Sequence, residues 1–115
     1  MKKEQFKAHT TEEIKDKISY LVSQFLEFRQ RRAQTFYEGY EHYDNEVKRD
    51  MYIHIAQEYE SQASAVFIWA LNGGDFYSDF LHRVSELDFA VEKDSKPTRT
   101  EVDEALWGKA YKVKK

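Results

Sequence analysis

The stretch of residues 10–28, TTEEIKDKISYLVSQFLEF, decides the fold because its apolar residues recur at helical spacing. They step by three or four positions along one face, and Val22 and Leu26 widen the stripe: Ile14, Ile18, Leu21, Phe25 and Phe28. Thr10 and Glu13 have the spacing of a capping box, so a helix should begin at residue 10 or 11. Because the periodicity continues through Phe36, we expect one long helix over about residues 11–38.

The apolar stripe does not stop clearly where this first helix should end. Gly39 is a candidate for the left-handed residue that closes a helix, yet Tyr40, Tyr43 and Val47 continue the helical spacing. We therefore expect a break or kink within residues 38–45. The pattern leaves open whether the helix ends at Gly39 or continues to about residue 43.

A second long helix is expected over about residues 45–72. Its predicted inner face contains apolar residues at spacings of three and four: Val47, Met51, Ile55, Tyr59, Ala63, Val66 and Ala70. The sequence Asn72-Gly73-Gly74 predicts the end of this helix, because glycine readily takes the left-handed conformation that closes helices.

Two shorter helices are predicted in the last third of the chain, over about residues 75–88 and 100–112. Asp75 should cap the first of them, and Thr100 the second, where Asp103 follows at capping-box spacing. The chain is therefore predicted to be all-α, a small helical bundle built on a long two-helix hairpin. We expect a single domain over residues 1–115 with frayed basic ends at about 1–9 and 112–115.

Composition limits the class of protein. The 115 residues are 41% hydrophobic and 34% charged, which is too apolar for a disordered segment and too polar for a membrane protein. The chain has no cysteine, so disulfides, thiolate metal sites and thiol catalysis are excluded. A cytoplasmic protein is the natural interpretation, since small secreted domains usually depend on disulfides.

Charge divides the chain into three parts. Residues 37–92 carry 12 acidic and 3 basic side chains, whereas the segments on either side each carry a net charge of +3. The sequence FYEGYEHYDNEVKRDMY, residues 36–52, interleaves carboxylates with tyrosines. Tyrosines are enriched at protein–protein contacts, and carboxylates would attract a basic partner. The residues that we expect to bind such a partner are Tyr37, Glu38, Glu41, Asp44 and Glu46.

Nucleic-acid binding is the first alternative. Arg29, Arg31 and Arg32 form a basic cluster that could contact backbone phosphates. The same arginines would also suit the last turns of the first helix, where cations are favoured. The chain as a whole is acidic, with a net charge of −3, which argues against a nucleic-acid footprint.

A metal-binding helical bundle is the second alternative. Asp50, His54 and Glu58 lie four residues apart and project from one face of the second helix. However, the Glu-x-x-His signature of di-iron bundles does not occur in the sequence, and this face is its polar side. We also find no nucleophile elbow and no phosphate-binding glycine loop, so we expect no enzyme activity and no cofactor.

These patterns favour a non-enzymatic protein–protein interaction module. Short, acidic, aromatic-rich helical chains without cysteine are common among accessory proteins of phages and mobile elements, and such proteins often inhibit a host nucleic-acid-processing protein by covering its basic surface. The sequence matches this group in composition alone. A homo-oligomer is a further possibility, because the two short helices cannot cover a hairpin about 40 Å long.

Overall fold

The structure is a computed structural model, and it describes residues 10–37, 43–71, 73–92 and 96–108. Within these ranges it contains four α-helices and no β-strand. The helices are α1 (Thr11–Tyr37), α2 (Tyr43–Ala70), α3 (Tyr77–Glu92) and α4 (Arg99–Trp107), and a 3-10 helix (Gly73–Phe76) precedes α3. The predicted all-α bundle on a long two-helix hairpin is confirmed. None of the helices in these ranges combines the length and the apolar character needed to cross a membrane.

Helix α1 is the central element of the bundle. It packs along α2 and also contacts α3 and α4. It supplies the largest share of the buried apolar side chains, as its stripe predicted: Ile14, Ile18, Leu21, Val22, Phe25 and Leu26. Burial of apolar surface is the dominant favourable term in folding, so this stripe holds the other three helices together.

The start of α1 confirms the predicted capping box. The backbone N–H of Glu13 donates to Thr10 Oγ1 over 3.1 Å, and the backbone N–H of Thr10 donates to Glu13 Oε1 over 3.2 Å. These contacts satisfy two donors that the first turn of a helix leaves without an intrahelical acceptor. The helix then runs to Tyr37, one residue from the predicted limit. Most of the segment 38–45, within which a break or kink was predicted, lies outside the described residues, and α2 begins at Tyr43.

The predicted range of the third helix, 75–88, is wrong at both ends. Gly73–Phe76 forms a 3-10 helix, so Asp75 does not cap an α-helix, and α3 begins at Tyr77. At the other end α3 continues to Glu92 because Val91 is buried in the core. Helix α3 thus ends four residues later than predicted, and Val91 in this extension is part of the core.

The fourth helix begins at Arg99, within one residue of the predicted start, but Thr100 is not its capping residue. Thr98 is the N-cap and Glu101 completes its capping box. The helix ends at Trp107, because Gly108 has a φ of 98° and its N–H donates to the Glu104 carbonyl oxygen over 2.9 Å. A positive φ is accessible to glycine without steric cost. The predicted continuation from 109 to 112 lies outside the described residues.

Polar contacts join α4 to α1. Trp107 Nε1 donates to Ser19 Oγ over 2.8 Å, and Arg99 Nη2 donates to the Asp16 carbonyl oxygen over 2.9 Å and also to the Asp16 carboxylate. Asp103, only 2% exposed, lies 3.5 Å from Arg99 Nε as an ion pair. Asp103, which the sequence placed at capping-box spacing from Thr100, is therefore a buried residue that pairs with Arg99.

Candidate protein-binding surface

Aromatic contacts fix the rotation of α2 about its axis. The ring of Phe28 in α1 lies 5.8 Å from the ring of Tyr59, stacked at 18°, and 6.1 Å from the ring of Tyr52. Ala56 and Ala63, one turn to either side of Tyr59, are buried. The inner face of α2 therefore runs through these four residues, and the opposite side of the helix must point away from α1.

The predicted inner face of α2 is wrong in its first half. Val47 is 49% exposed and Met51 is 48% exposed. The reason is helical geometry, because a step of four residues overshoots a turn of 3.6 residues by about 40°. The series 47, 51, 55, 59, 63 thus drifts by about 160°, and Val47 and Ala63 cannot face the same helix.

The side of α2 that points away from α1 forms one continuous surface in its first half. We call this the outer α2 surface; its exposed members are Glu46, Val47, Asp50, Met51, His54 and Glu58. Two half-exposed apolar side chains one turn apart are thus accompanied by three carboxylates and an imidazole. Lys48 is exposed as well, but it lies about 130° around the helix from the centre of this surface.

The predicted partner-binding residues fall partly within this surface. Glu46 begins it and is exposed. Glu38 and Glu41 lie outside the described residues. Tyr37 is the last residue of α1 and Asp44 the second of α2, but their side chains are not described. From the sequence, Val47 and Met51 were assigned to the core and not to the surface. The repeated four-residue spacing along α2 could have indicated their exposure, because each such step rotates the position by about 40° away from the inner face.

The arginines predicted to contact nucleic acid do not form a shared surface. Arg29 Nε donates to Asp88 Oδ1 in α3 over 2.9 Å, and both side chains are about four-fifths buried. Arg29 therefore ties α1 to α3. None of the three arginines is in the last turn of α1, contrary to the expected helix-terminal role.

Arg31 has two partners on its own helix. Its guanidinium lies 4.8 Å from the centre of the Phe28 ring, and its Nε is 3.5 Å from Glu27 Oε2. Glu27 also accepts a 2.7 Å hydrogen bond from Lys96 Nζ, which lowers the pKa of the Glu27 carboxyl. Arg32 is half-buried on a different side of α1. The three arginines thus have different surroundings, and only Arg29 is largely buried.

A charged cluster lies where α1, α2 and α3 meet. Its members are Arg29, Asp88 and Glu60 of α2. Burial raises the pKa of the Glu60 carboxyl, and the nearby charge of Asp88 raises it further, while Arg29 acts in the opposite direction. The charges of Asp88 and Arg29 thus both act on the Glu60 carboxyl, which is partly desolvated. The Arg29–Asp88 pair joins α1 to α3, and both of its side chains are largely buried.

The proposed metal ligands Asp50, His54 and Glu58 are all exposed on the outer α2 surface. Within the described part of the chain, no group of three or more histidines and carboxylates is placed to hold a metal ion. Glu58 accepts a 3.4 Å hydrogen bond from the Gln62 side chain instead. These residues are therefore available for surface contacts.

Fold and surface together describe a small four-helix protein with an exposed acidic and apolar helix face. Compared with known proteins, the chain matches no protein-family model, no curated protein and no solved structure at a significant level. Its function must therefore be inferred from its own residues.

Proposed function

We propose that this protein is a non-enzymatic protein–protein interaction module, an inhibitor or regulator that uses the outer α2 surface to engage a basic partner. The observation that carries the proposal is the half-exposed pair Val47 and Met51 beside Glu46, Asp50 and Glu58. Exposed apolar side chains at helical spacing are typical of a helix that inserts into a groove of its partner.

The chemistry of the surface defines the partner. Val47 and Met51 lie one turn apart, so they can enter the same apolar groove. Methionine adapts its shape to irregular apolar surfaces, which suits such a contact. The three carboxylates would lie at the rim of that groove, where they attract a partner with lysine or arginine side chains and set the orientation of binding.

A nucleic-acid-processing protein of the host is the partner class that we favour. Such proteins carry basic surfaces that bind phosphates, and an acidic helix can occupy them in place of the nucleic acid. Tyr37, Glu38, Glu41 and Asp44 precede the outer α2 surface in sequence and would extend it. In this proposal the protein acts in the cytoplasm, as a phage or mobile-element accessory protein.

The test compares two charge reversals that change the net charge equally. The first is Glu46→Lys with Asp50→Lys on the outer α2 surface. The control is Glu86→Lys with Glu104→Lys, two exposed carboxylates on α3 and α4. Wild type and both variants serve as baits in nuclease-treated lysate of the native cell, and captured proteins are quantified by mass spectrometry. Circular dichroism verifies that all three remain helical.

We expect a basic protein to be captured by wild type and by the control but to be lost from the Glu46→Lys/Asp50→Lys bait. Replacement of both Val47 and Met51 by serine should weaken capture as well, since it removes the apolar contact without changing charge. Equal capture by all baits would contradict the proposal. Loss of capture from both charge-reversal baits would contradict it too, because binding would then depend on overall charge and not on the outer α2 surface.

A further inference from the structure

A cavity of about 400 Å³ lies at the end of the bundle where α1 begins and α2 and α4 end. It is remote in sequence from the outer α2 surface. Its volume is within the usual range of small-molecule sites, and most of its lining is apolar, as in such sites. Its described lining includes residues from all four helices and the 3-10 helix, among them Lys15, Phe67, Phe76, Phe80, Arg83 and Trp107.

Aromatic rings form one wall of the cavity. The ring of Phe67 stacks on Phe80 with centroids 4.3 Å apart and an angle of 11°, and Trp107 lies 6.4 Å from Phe67. Because these rings come from α2, α3 and α4, their positions are fixed by the packing of the bundle. Phe76, in the 3-10 helix, is 66% exposed and forms the outer edge of the cavity.

The backbone at Gly73 closes one side of the wall. A Cβ at this position would lie 2.4 Å from Phe67 Cε1, which is far below contact distance. Glycine thus lets the chain turn directly against the ring. The Phe67 ring on this side of the cavity is therefore held in place by close packing against the backbone at Gly73.

Two cations line the same cavity. Lys15 Nζ lies 5.3 Å from the centre of the Trp107 ring, and Arg83 Nη1 donates to the Leu106 carbonyl oxygen over 2.8 Å. Asp79 is the one carboxylate among the described lining residues, so their net charge is +1. A few charged groups at the edge of an apolar site select the charge and orientation of the ligand.

We propose that this cavity binds a small aromatic carboxylic acid. The aromatic part would lie against Phe67, Phe76 and Trp107, and the carboxylate would pair with Lys15 and Arg83. The positive balance of the lining favours an acid over an amine, and the volume holds one or two fused rings. The site goes beyond the proposed function, because it shares no residue with the outer α2 surface.

Isothermal titration calorimetry of the full chain with 2-naphthylacetate tests the site, and the neutral 2-naphthylacetamide is the matched ligand. We expect the acid to bind about tenfold more tightly than the amide, because a charge-assisted contact adds to the same apolar burial. Lys15→Gln should remove most of this preference. Lys17→Gln, an exposed lysine of α1 that does not line the cavity, should preserve it.

The apolar half of the site is tested with Phe76→Ala, which should weaken both ligands. Trp69→Ala removes an exposed aromatic side chain outside the cavity lining and should weaken neither. Circular dichroism confirms that each variant is folded. Equal binding of acid and amide, absence of binding at millimolar ligand, or unchanged affinity in Phe76→Ala would overturn the proposal. A dimer that Phe76→Ala dissociates would overturn it too, because a second copy would then occupy the cavity.

Discussion

The two halves of α2 have similar numbers of apolar residues but very different surroundings. In the C-terminal half, Ala63, Val66 and Phe67 are buried, and the Phe67 ring contacts Phe80 of α3 and Trp107 of α4, although Ile68 and Trp69 on the outer side of the helix are exposed. In the N-terminal half, Val47 and Met51 remain about half exposed. Among the described residues, α3 and α4 reach α2 at Phe67, whereas Val47 and Met51 lie on the side of α2 that points away from α1.

This comparison shows that apolar content alone does not identify core residues. A helix that is apolar on one side can bury that side against one neighbouring helix. Helix α2 carries apolar residues on more than one side, so one neighbour cannot bury all of them. Where a second neighbour packs against such a residue, as α3 does at Phe67, the residue is buried in the core. Where none is present among the described residues, such residues are candidates for contact with another molecule.

The largest expected effect separates the two halves directly. Phe67→Ala should lower the free energy of unfolding by about 3–5 kcal/mol, because it removes a stacked, buried ring and leaves a cavity. Met51→Ala, in the exposed half, should change it by no more than about 0.5 kcal/mol. Urea denaturation followed by circular dichroism measures both. Similar losses in the two variants would mean that the halves do not differ in burial as described.

An intermediate effect is expected at the end of the covered half. Gly73→Ala should cost about 1–3 kcal/mol, because the new methyl group must displace the Phe67 ring, which is held against Phe80. Gly74→Ala is the matched control, since a Cβ there would have no neighbour within 4 Å. Thermal unfolding of the two variants compares them. If both unfold at the same temperature, the close approach at Gly73 does not constrain the fold.

The smallest expected effect lies near the middle of α2 and depends on pH. Burial raises the pKa of Glu60 above its usual value near 4.5, so the folded state holds this proton more tightly than the unfolded chain. The stability contribution is present at low pH and is lost as the pH rises through the unfolded and then the folded pKa. Glutamine cannot ionise, so the Glu60→Gln variant should not lose this stability as the pH rises.

Glu60→Gln should therefore gain stability relative to wild type as the pH rises above the usual glutamate pKa near 4.5. Urea unfolding at several pH values measures this difference. Glu58→Gln, on the exposed side of the same helix, controls for the removal of one negative charge. A difference between Glu60→Gln and wild type that stays constant with pH would show that Glu60 is not coupled to folding.

The ends of a helix could be predicted from the sequence where a capping box or a pair of glycines marks them locally. The capping box of Thr10 and Glu13 gave the start of α1, and the two glycines after Asn72 gave the end of α2 within two residues. The N-cap of the fourth helix was assigned to the wrong threonine, because Thr98 and Thr100 are each followed by an acidic residue three positions later. Glutamate at that position reaches back to the N-cap backbone, as Glu101 does, whereas the shorter Asp103 is buried instead.

The candidate surface was harder to predict because the exposure of a side chain depends on which helices pack against it. Glu46 was identified from its charge, but Val47 and Met51 were assigned to the core. Arg29 was a candidate for phosphate contact until its partner Asp88, 59 residues later, was visible. The Arg29 result does not follow from spacing within one helix, since it is set by a contact with an element distant in sequence. The exposure of Val47 could have been inferred from the drift of the four-residue steps along α2.

Helix α4 has nine residues, which is too short for an isolated helix to persist in water. Its ordered state must therefore come from docking on α1 through the Trp107–Ser19 and Arg99–Asp16 contacts and the burial of Val102 and Leu106. Undocking and unwinding should then occur together, as one local opening event. Its amide hydrogens would exchange with solvent in a single cooperative group, ahead of those in the middle of α1.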